Sequence, residues 1–187
     1  PFPTAQAQAV QRLSATAHWD VPLETPSGGR LHLLAVAASP PVCDGPEDRN
    51  GLRNADEVRG WQLQRDGRGA PPPAGPFVIL GTANLDPVDG EGRHQAIRAL
   101  LDDPRLQDPQ PRGTGGAQAG TPGHRGDPGL DTADWWEEND GPGNLRVDYV
   151  LPASDLTVAA SGVAWTDPSD DPGMADIERR ASRHRLV

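Results

Sequence analysis

The chain contains 187 residues and has a net charge of -10 at pH 7, with 27 acidic residues against 17 basic ones, all of them Arg. This acidic balance argues against non-specific binding to DNA or to a membrane surface, because both favour a positively charged protein. It still allows a phosphate group to be held locally by arginine, and the excess of carboxylates suits a divalent cation. No apolar run reaches the ~20 residues that are needed to cross a bilayer.

The first part of the chain predicts a helix followed by a pair of strands. Residues 4–15 contain good helix formers, and Thr4 is a candidate N-cap. Residues 18–22 and 30–37 are typical of strands. The turn-forming sequence at 25–29 lies between them, which favours a hairpin.

A long polar loop at 39–54 precedes the next predicted helix. Asn54 is the predicted N-cap of this helix, because acidic residues follow it in the first turn. The helix should end near residues 66–67, where a glycine follows an aspartate. The loop before it has two interpretations: it lines the mouth of a site, or its Asx residues bond their own backbone.

The stretch 76–87 predicts a buried strand that ends in a tight polar loop. Residues 77–80 form a short apolar run between turn-formers, and Asn84 and Asp86 follow it. In α/β sheets, functional side chains gather at the carboxyl ends of strands. We therefore treat both residues as candidates, with a plain self-bonded turn as the alternative.

Residues 95–101 predict a short helix, and residues 107–143 predict a long loop rich in Gly, Pro and Asp. A loop of that length in a single domain is usually functional or mobile. Trp135 and Trp136 lie within it. They are interpreted either as a lid over a substrate or as an anchor for the loop, and the anchor is favoured.

The C-terminal part predicts further strands. Residues 145–151 alternate apolar and polar side chains at their start, which indicates a strand. Residues 156–165 predict a strand pair or a bulged strand, 167–180 a loop with a short turn, and 184–187 the start of a last strand. Strands with helices inserted between several of them indicate a mixed α/β or α+β sheet domain.

Three short motifs occur in order along these elements: G-T-A-N at 81–84, R-V-D-Y at 146–149 and S-R-H-R-L-V at 182–187. Together they resemble the G-D-x-N, R-x-D-Y and S-D-H motifs of the endonuclease/exonuclease/phosphatase superfamily. The sequences around 44–57 and 147–152 are similar to a bacterial branch of it. The resemblance extends from about residue 18 onward.

This resemblance implies a DNase-I-like β-sandwich flanked by helices, with residues 1–187 forming the C-terminal portion of one such domain. Because the sequence begins with Pro1, we expect a truncated or processed chain. The compartment, cytoplasmic or secreted, and the oligomeric state are left open.

The resemblance also implies Mg²⁺-dependent hydrolysis of a phosphoester, in a small molecule or in a nucleic acid. His184 would be the imidazole of the site, Asp148 its carboxylate partner and Asn84 a hydrogen-bond donor to the phosphate. Arg183, Asn50 and Asn54 are the predicted substrate contacts. No residue of this chain is assigned as a metal ligand.

The sequence departs from the family pattern at three positions. Thr82 stands at the Asp of G-D-x-N, Arg183 at the Asp of S-D-H, and Ala37 where relatives carry a second His. A neutral hydroxyl does not replace a carboxylate toward Mg²⁺. We therefore expect weak or absent activity, and the alternative is a non-catalytic remnant of the fold that acts as a binding or interaction module.

Plainer interpretations exist for the site residues as well. His184 is also interpretable as a surface imidazole, and Asp148 as an ordinary partner of Arg146 or Arg185. A wholly unrelated α/β domain would place Asn84, Asp148 and His184 far apart.

Overall fold

A computed structural model describes residues 4–68, 71–135 and 141–187. Its largest element is a four-stranded sheet with the order β1-β2-β3-β6, and a two-stranded sheet pairs β4 with β5. The strands are β1 (Ala17–Glu24), β2 (Arg30–Ala37), β3 (Phe77–Thr82), β4 (Ala133–Asp134), β5 (Asn144–Leu145) and β6 (Asp148–Pro152).

Five α-helices lie within the described residues, together with a 3₁₀ turn at Pro128–Leu130. They are α1 (Ala5–Val10), α2 (Arg49–Arg65), α3 (Gln95–Leu101), α4 (Thr114–Gln118) and α5 (Pro172–Ala181). Within the described ranges, none of them is long and apolar enough to cross a membrane.

The four-stranded sheet combines a hairpin with a parallel crossover. β1 and β2 are antiparallel, β2 and β3 are parallel, and β6 returns antiparallel to β3. The crossover from β2 to β3 contains α2, as expected for two parallel neighbours. The carboxyl ends of β2 and β3 therefore lie at the same edge of the sheet as the amino end of β6.

The main hydrophobic core lies between one face of this sheet and two helices. Leu34, Ile79 and Leu151 stand opposite one another on neighbouring strands and are almost completely buried. Val58 and Trp61 of α2 belong to the same buried cluster, as do apolar residues of α3. The i, i+3 spacing of Val58 and Trp61 predicted this contact face.

The other face of the sheet is apolar but partly exposed. Trp19 and Val21 of β1 lie opposite Ala35 and Leu33 of β2, and 62% of Trp19 is exposed. Apolar side chains that alternate along strands normally pack against a second layer.

The hairpin, β3 and α3 confirm the sequence predictions, whereas other boundaries differ. The helix predicted to begin at Asn54 begins at Arg49, after Asp48 adopts a left-handed conformation with φ of 50°. Asn54 is therefore an internal helix residue and not an N-cap. The capping prediction is wrong because the Asn54 side chain bonds to carbonyls outside the helix, and the helix begins five residues earlier after Asp48, which makes no side-chain cap hydrogen bond.

The C-terminal third also differs from the prediction. Residues 167–180 contain α5, whose start is fixed by Pro172 in its first turn and by Asp171, which accepts from the Met174 amide. Residues 156–165 contain no strand, and the 107–143 loop contains α4 and the 3₁₀ turn. At 184–187 only His184 forms a β-bridge, to Ala133.

Two polar side chains of α2 bond this helix to the edge of the sheet where β2 and β3 end. Asn54 has no exposed surface and donates from Nδ2 to the carbonyl oxygens of Ser39 and Ala83. The Glu57 carboxylate, also completely buried, accepts from the backbone amides of Ala15 and Ser39. These bonds fix the chain directly after β2 and β3.

Removal of the Glu57 carboxylate should destabilise the fold. Glu57→Ala leaves two backbone amides and the Arg53 guanidinium without this acceptor, so we expect a loss of about 3 kcal/mol in the free energy of unfolding. Urea denaturation measures it. Glu24→Ala at an exposed position is the control and should change stability by less than about 0.5 kcal/mol. Equal stability of the two variants would contradict the role of Glu57.

Candidate active site

Three residues form a row across the edge of the sheet where β2 and β3 end. Ala37 stands opposite Thr82, and Thr82 stands opposite Asp148 on β6. The row contains two of the positions at which the sequence departs from the family motifs, together with the Asp of R-V-D-Y. Neighbouring strands lie about 4.8 Å apart, so the row places Ala37 about 10 Å from Asp148.

His184 joins this row through the carboxylate of Asp148. Its Nδ1 lies 2.9 and 3.0 Å from the two carboxylate oxygens. Since a carboxylate only accepts, Nδ1 carries the proton and donates it, which leaves Nε2 for other partners. The hydrogen bond to Asp148 raises the pKa of His184 above its ordinary value, although partial burial opposes the shift.

Thr132 holds Asp148 in place and was missed by the sequence analysis. Its hydroxyl donates to Asp148 Oδ2 at 3.0 Å and accepts from the amides of Val147 and Asp148. Its carbonyl accepts from the Arg185 amide, next to His184. One completely buried residue therefore positions both halves of the His184–Asp148 pair. No spacing or motif marks this residue in the sequence.

Asn84 lies at the same edge, directly after β3. Its φ is 48°, and its Nδ2 donates to the carbonyl of Ala38. Since an amide carries two N–H groups, one donor is left for another partner. Gly81 makes the approach of β2 and β3 feasible, because its φ is 123° and a Cβ there would collide with the Val36 carbonyl.

The three predicted substrate contacts, Arg183, Asn50 and Asn54, differ in their burial and in their hydrogen-bond partners. Arg183 directly precedes His184, and its carbonyl accepts from the Asp134 amide. Asn50 lies in the first turn of α2 and donates to the Val42 carbonyl. Asn54 is completely buried and bonded to backbone carbonyls, so the prediction that it contacts substrate is wrong.

Of the two adjacent tryptophans, the structure describes Trp135. Trp135 lies edge-on to the His184 imidazole, with ring centroids 5.3 Å apart, and packs against the buried cluster of Ala133, Leu145 and Val147. This packing favours the anchor interpretation for Trp135. Trp136 lies outside the described residues.

Asp86, two residues after Asn84, has a structural role. The Asp86 carboxylate accepts from the amides of Val88 and Asp89, which is the self-bonded turn that the sequence offered as the alternative. It also accepts from the distant Arg146 amide. Arg146 in turn forms a two-pronged ion pair with Asp108. Asp148 is therefore not the partner of Arg146 and is free to pair with His184.

A second buried carboxylate lies near Asp86. Asp131 is 8% exposed and precedes Thr132. Burial raises the pKa of Asp131 to about 7, and the charges of Asp86, Asp89 and Asp127 add to the shift. The negative charge on Asp131 is thus disfavoured in the folded state.

The donor groups at this edge do not form a divalent-cation site by themselves. Within the described parts of the chain, no cluster of three or more His, Cys, Asp or Glu side chains could hold a metal ion. Thr82 stands in the row beside Asp148, where the family motif has a carboxylate.

The model of the endonuclease/exonuclease/phosphatase family matches residues 4–184, so the chain belongs to that family. No curated protein matches the chain.

One solved structure has the same fold, the endonuclease/exonuclease/phosphatase from Beutenbergia cavernae DSM 12333. The two chains are 18% identical and superpose with a TM-score of 0.53 over 89% of this chain, which corresponds to 36% of the other chain. The predicted family and mixed α/β fold are confirmed. The family match begins at residue 4, earlier than expected, and gives no support to the narrower assignment to a C-terminal half or a bacterial branch.

Loss of the Asp148 charge should lower the pKa of His184. In Asp148→Asn the imidazolium loses its carboxylate partner, so the ring should deprotonate at lower pH than in the parent protein. The titration of the His184 ring protons by NMR measures the change, and His32, paired with Asp20, serves as an internal control. An unchanged His184 titration would show that the two groups do not interact in solution.

Asp131 should make the protein less stable as pH rises. Its folded pKa of about 7 exceeds the unfolded value of about 4, so its contribution is present below pH 4 and is lost as pH rises toward 7. Asp131→Asn should therefore increase the free energy of unfolding at pH 8 by up to about 4 kcal/mol, with little change at pH 4.

Urea denaturation across this pH range tests the prediction, with the exposed Asp155→Asn as the matched control. A parent protein whose stability is flat between pH 4 and pH 7, or an equal gain in both variants, would contradict it.

Proposed function

We propose that the protein hydrolyses a phosphoester, with His184, Asp148 and Asn84 at the site. The observation that carries this proposal is the hydrogen bond of 2.9 Å between His184 Nδ1 and Asp148, located at the edge where β2 and β3 end. Family membership supports a phosphoesterase-type activity. The substrate is a phosphomonoester or phosphodiester, in a small molecule or in a nucleic acid.

The imidazole–carboxylate pair supplies the proton chemistry of the proposed reaction. With Nδ1 donating to Asp148, Nε2 is the ring atom that faces a substrate phosphate. The raised pKa of His184 favours the protonated ring, which stabilises the negative charge that grows on the phosphoryl oxygens as water attacks phosphorus. Thr132 keeps Asp148 in the orientation that this requires.

Asn84 and Arg183 would bind the phosphate itself. The second N–H of the Asn84 amide can donate to a phosphate oxygen, and the amide brings no charge that repels it. Arg183 contributes a cation beside His184, at the position where the family motif has an acid. Asn50 would contact a more distant part of the substrate.

We further propose that the activity of this chain is weak. Thr82 and Ala37 replace an acid and an imidazole in the same row as Asp148, and in relatives these groups belong to the Mg²⁺-dependent site. Mg²⁺ dependence would then be reduced or absent in the chain as it stands. The proposed assignments to a C-terminal portion and to a bacterial branch stay predictions.

Hydrolysis of bis(p-nitrophenyl) phosphate and p-nitrophenyl phosphate, with and without Mg²⁺, tests the function. We expect slow turnover that falls at least tenfold in His184→Ala, whereas His124→Ala should retain parent activity. Robust turnover that survives His184→Ala would refute the proposed site.

The same assay tests the weak-activity proposal through the double variant Ala37→His, Thr82→Asp. The restored groups lie in the same row as Asp148, so they should increase Mg²⁺-dependent turnover. No gain, with the double variant folded by circular dichroism, would favour the non-catalytic binding module instead.

A further inference from the structure

One face of the four-stranded sheet is apolar and exposed in the described part of the chain. Alternation along each strand separates this face from the one that carries Leu34, Ile79 and Leu151 in the core. We call it the open face. Its side chains are Trp19, Val21 and Leu23 of β1, Leu31, Leu33 and Ala35 of β2, Val78 and Leu80 of β3, and Val150 and Pro152 of β6. None of them is buried.

The open face is a large apolar patch for a single chain. Trp19 is 62% exposed, Val21 39% and Leu23 41%, and they occupy alternate positions on β1. Trp19 alone exposes on the order of 150 Å². With its neighbours, the face exposes roughly 500 Å², within the range of the largest patches on monomers, which are often functional. We therefore treat the open face as an interaction surface.

The chemistry of the open face favours a second apolar sheet as its partner. Its side chains carry no charge, although the chain has 27 acidic and 17 basic residues. A charged peptide, a nucleic acid or a phosphate ester would find no counter-charge there. Two twisted sheets, in contrast, pack against each other through inner faces of this composition.

The edge of the same sheet at β1 is a poor route to association. β1 is the outermost strand there, and Pro22 stands opposite His32 of β2. The His32 amide donates to the Pro76 carbonyl, on the side of β3, so the backbone of His32 points away from β1. In an antiparallel pair the backbone of Pro22 then points outward. Because proline has no N–H, it interrupts the hydrogen bonds that an added strand would form.

A second copy of this chain supplies the partner that the open face requires. It presents a face with the same size, composition and twist, and a twofold contact uses that face on both chains and closes at two copies. The pair would bury roughly 1,000 Å² in total, the lower limit for a specific interface. Charges outside the face oppose the contact, because each chain has a net charge of -10. We therefore expect a dissociation constant of about 1–100 µM.

The open face continues into the row of the candidate site. Thr82 and Asp148 lie on the same face as Leu80 and Val150, two residues away along β3 and β6. Two residues of a strand span about 7 Å. A sheet packed on the open face would therefore border the row and exclude water from one side of it.

We propose that the open face binds a second copy of this chain, sheet against sheet, and that this dimer closes one side of the candidate site. The dimer itself does not depend on the reaction, whereas the closure of the site rests on the proposed function. β1 contributes the side chains with the most surface to bury, Trp19, Val21 and Leu23.

Sedimentation velocity of the 187-residue chain between about 1 and about 200 µM tests the dimer without requiring turnover. The weight-average sedimentation coefficient should rise from that of a 19.8 kDa monomer toward that of a dimer. Raising NaCl from about 50 to about 500 mM should strengthen the association, because salt screens the repulsion between two chains of charge -10. A chain that stays monomeric at the highest concentration, grows into larger species, or associates less in high salt would overturn the proposal.

The variant Trp19→Glu should weaken the dimer at least tenfold, because each copy would bring a carboxylate against apolar surface. The matched control is Ile177→Glu on α5, where the replaced side chain is also 62% exposed, and it should dimerise as the parent does. Val21→Thr is a milder second variant that keeps the side-chain shape, and it should weaken the dimer at least twofold. Circular dichroism checks that the variants are folded. Equal association of Trp19→Glu and Ile177→Glu, or of Val21→Thr and the parent, would overturn the open face as the interface.

A different occupant of the open face would give a different result. Co-sedimentation with phosphatidylcholine vesicles should leave the parent chain in the supernatant. A monomeric chain that binds those vesicles, and loses the binding in Trp19→Glu, would assign the open face to a lipid surface and overturn the dimer.

The closure of the site is tested by turnover per chain in the phosphoester assay. It should rise with protein concentration across the range in which the dimer forms, and it should stay low and constant in Trp19→Glu. Constant turnover per chain in a parent protein that dimerises would overturn the closure. Absence of turnover at every concentration would contradict the proposed function and leave the sedimentation result unchanged.

Discussion

The hydroxyl of Thr132 is the contact on which the candidate site depends. It donates to the Asp148 carboxylate and accepts from two backbone amides at the start of β6, while the Thr132 carbonyl accepts from the segment that carries His184. Residues that are distant in sequence thus converge on one buried side chain. Because Asp148 is fixed on both sides, the imidazole of His184 is presented in one orientation at the sheet edge.

The helix layer supports the same edge from the other side. Asn54 and Glu57 of α2 bond to the chain just after β2 and β3, so the packing of this helix and the position of Asn84 are parts of one arrangement.

Short apolar runs and turn-forming residues were sufficient to predict the elements that depend mainly on neighbouring residues. The apolar run at 77–80 and the turn at 25–29 predicted β3 and the hairpin, and the short motifs predicted that Asp148 and His184 pair, which is the contact that the structure shows. The start of α2 and the burial of Asn54 were mispredicted, because a good N-cap residue also forms tertiary hydrogen bonds inside a helix. Thr132 could not be predicted, since its role exists only through residues brought together by folding.

The central claim is that the edge formed by Asn84, Asp148 and His184 holds a phosphoryl group. A crystal structure of the protein with vanadate, which mimics five-coordinate phosphorus, tests this claim most directly. The account predicts vanadate within hydrogen-bond distance of His184 Nε2 and the Asn84 amide, with Nδ1 still bonded to Asp148. An unoccupied edge at saturating vanadate, or an imidazole turned away from Asp148, would contradict it.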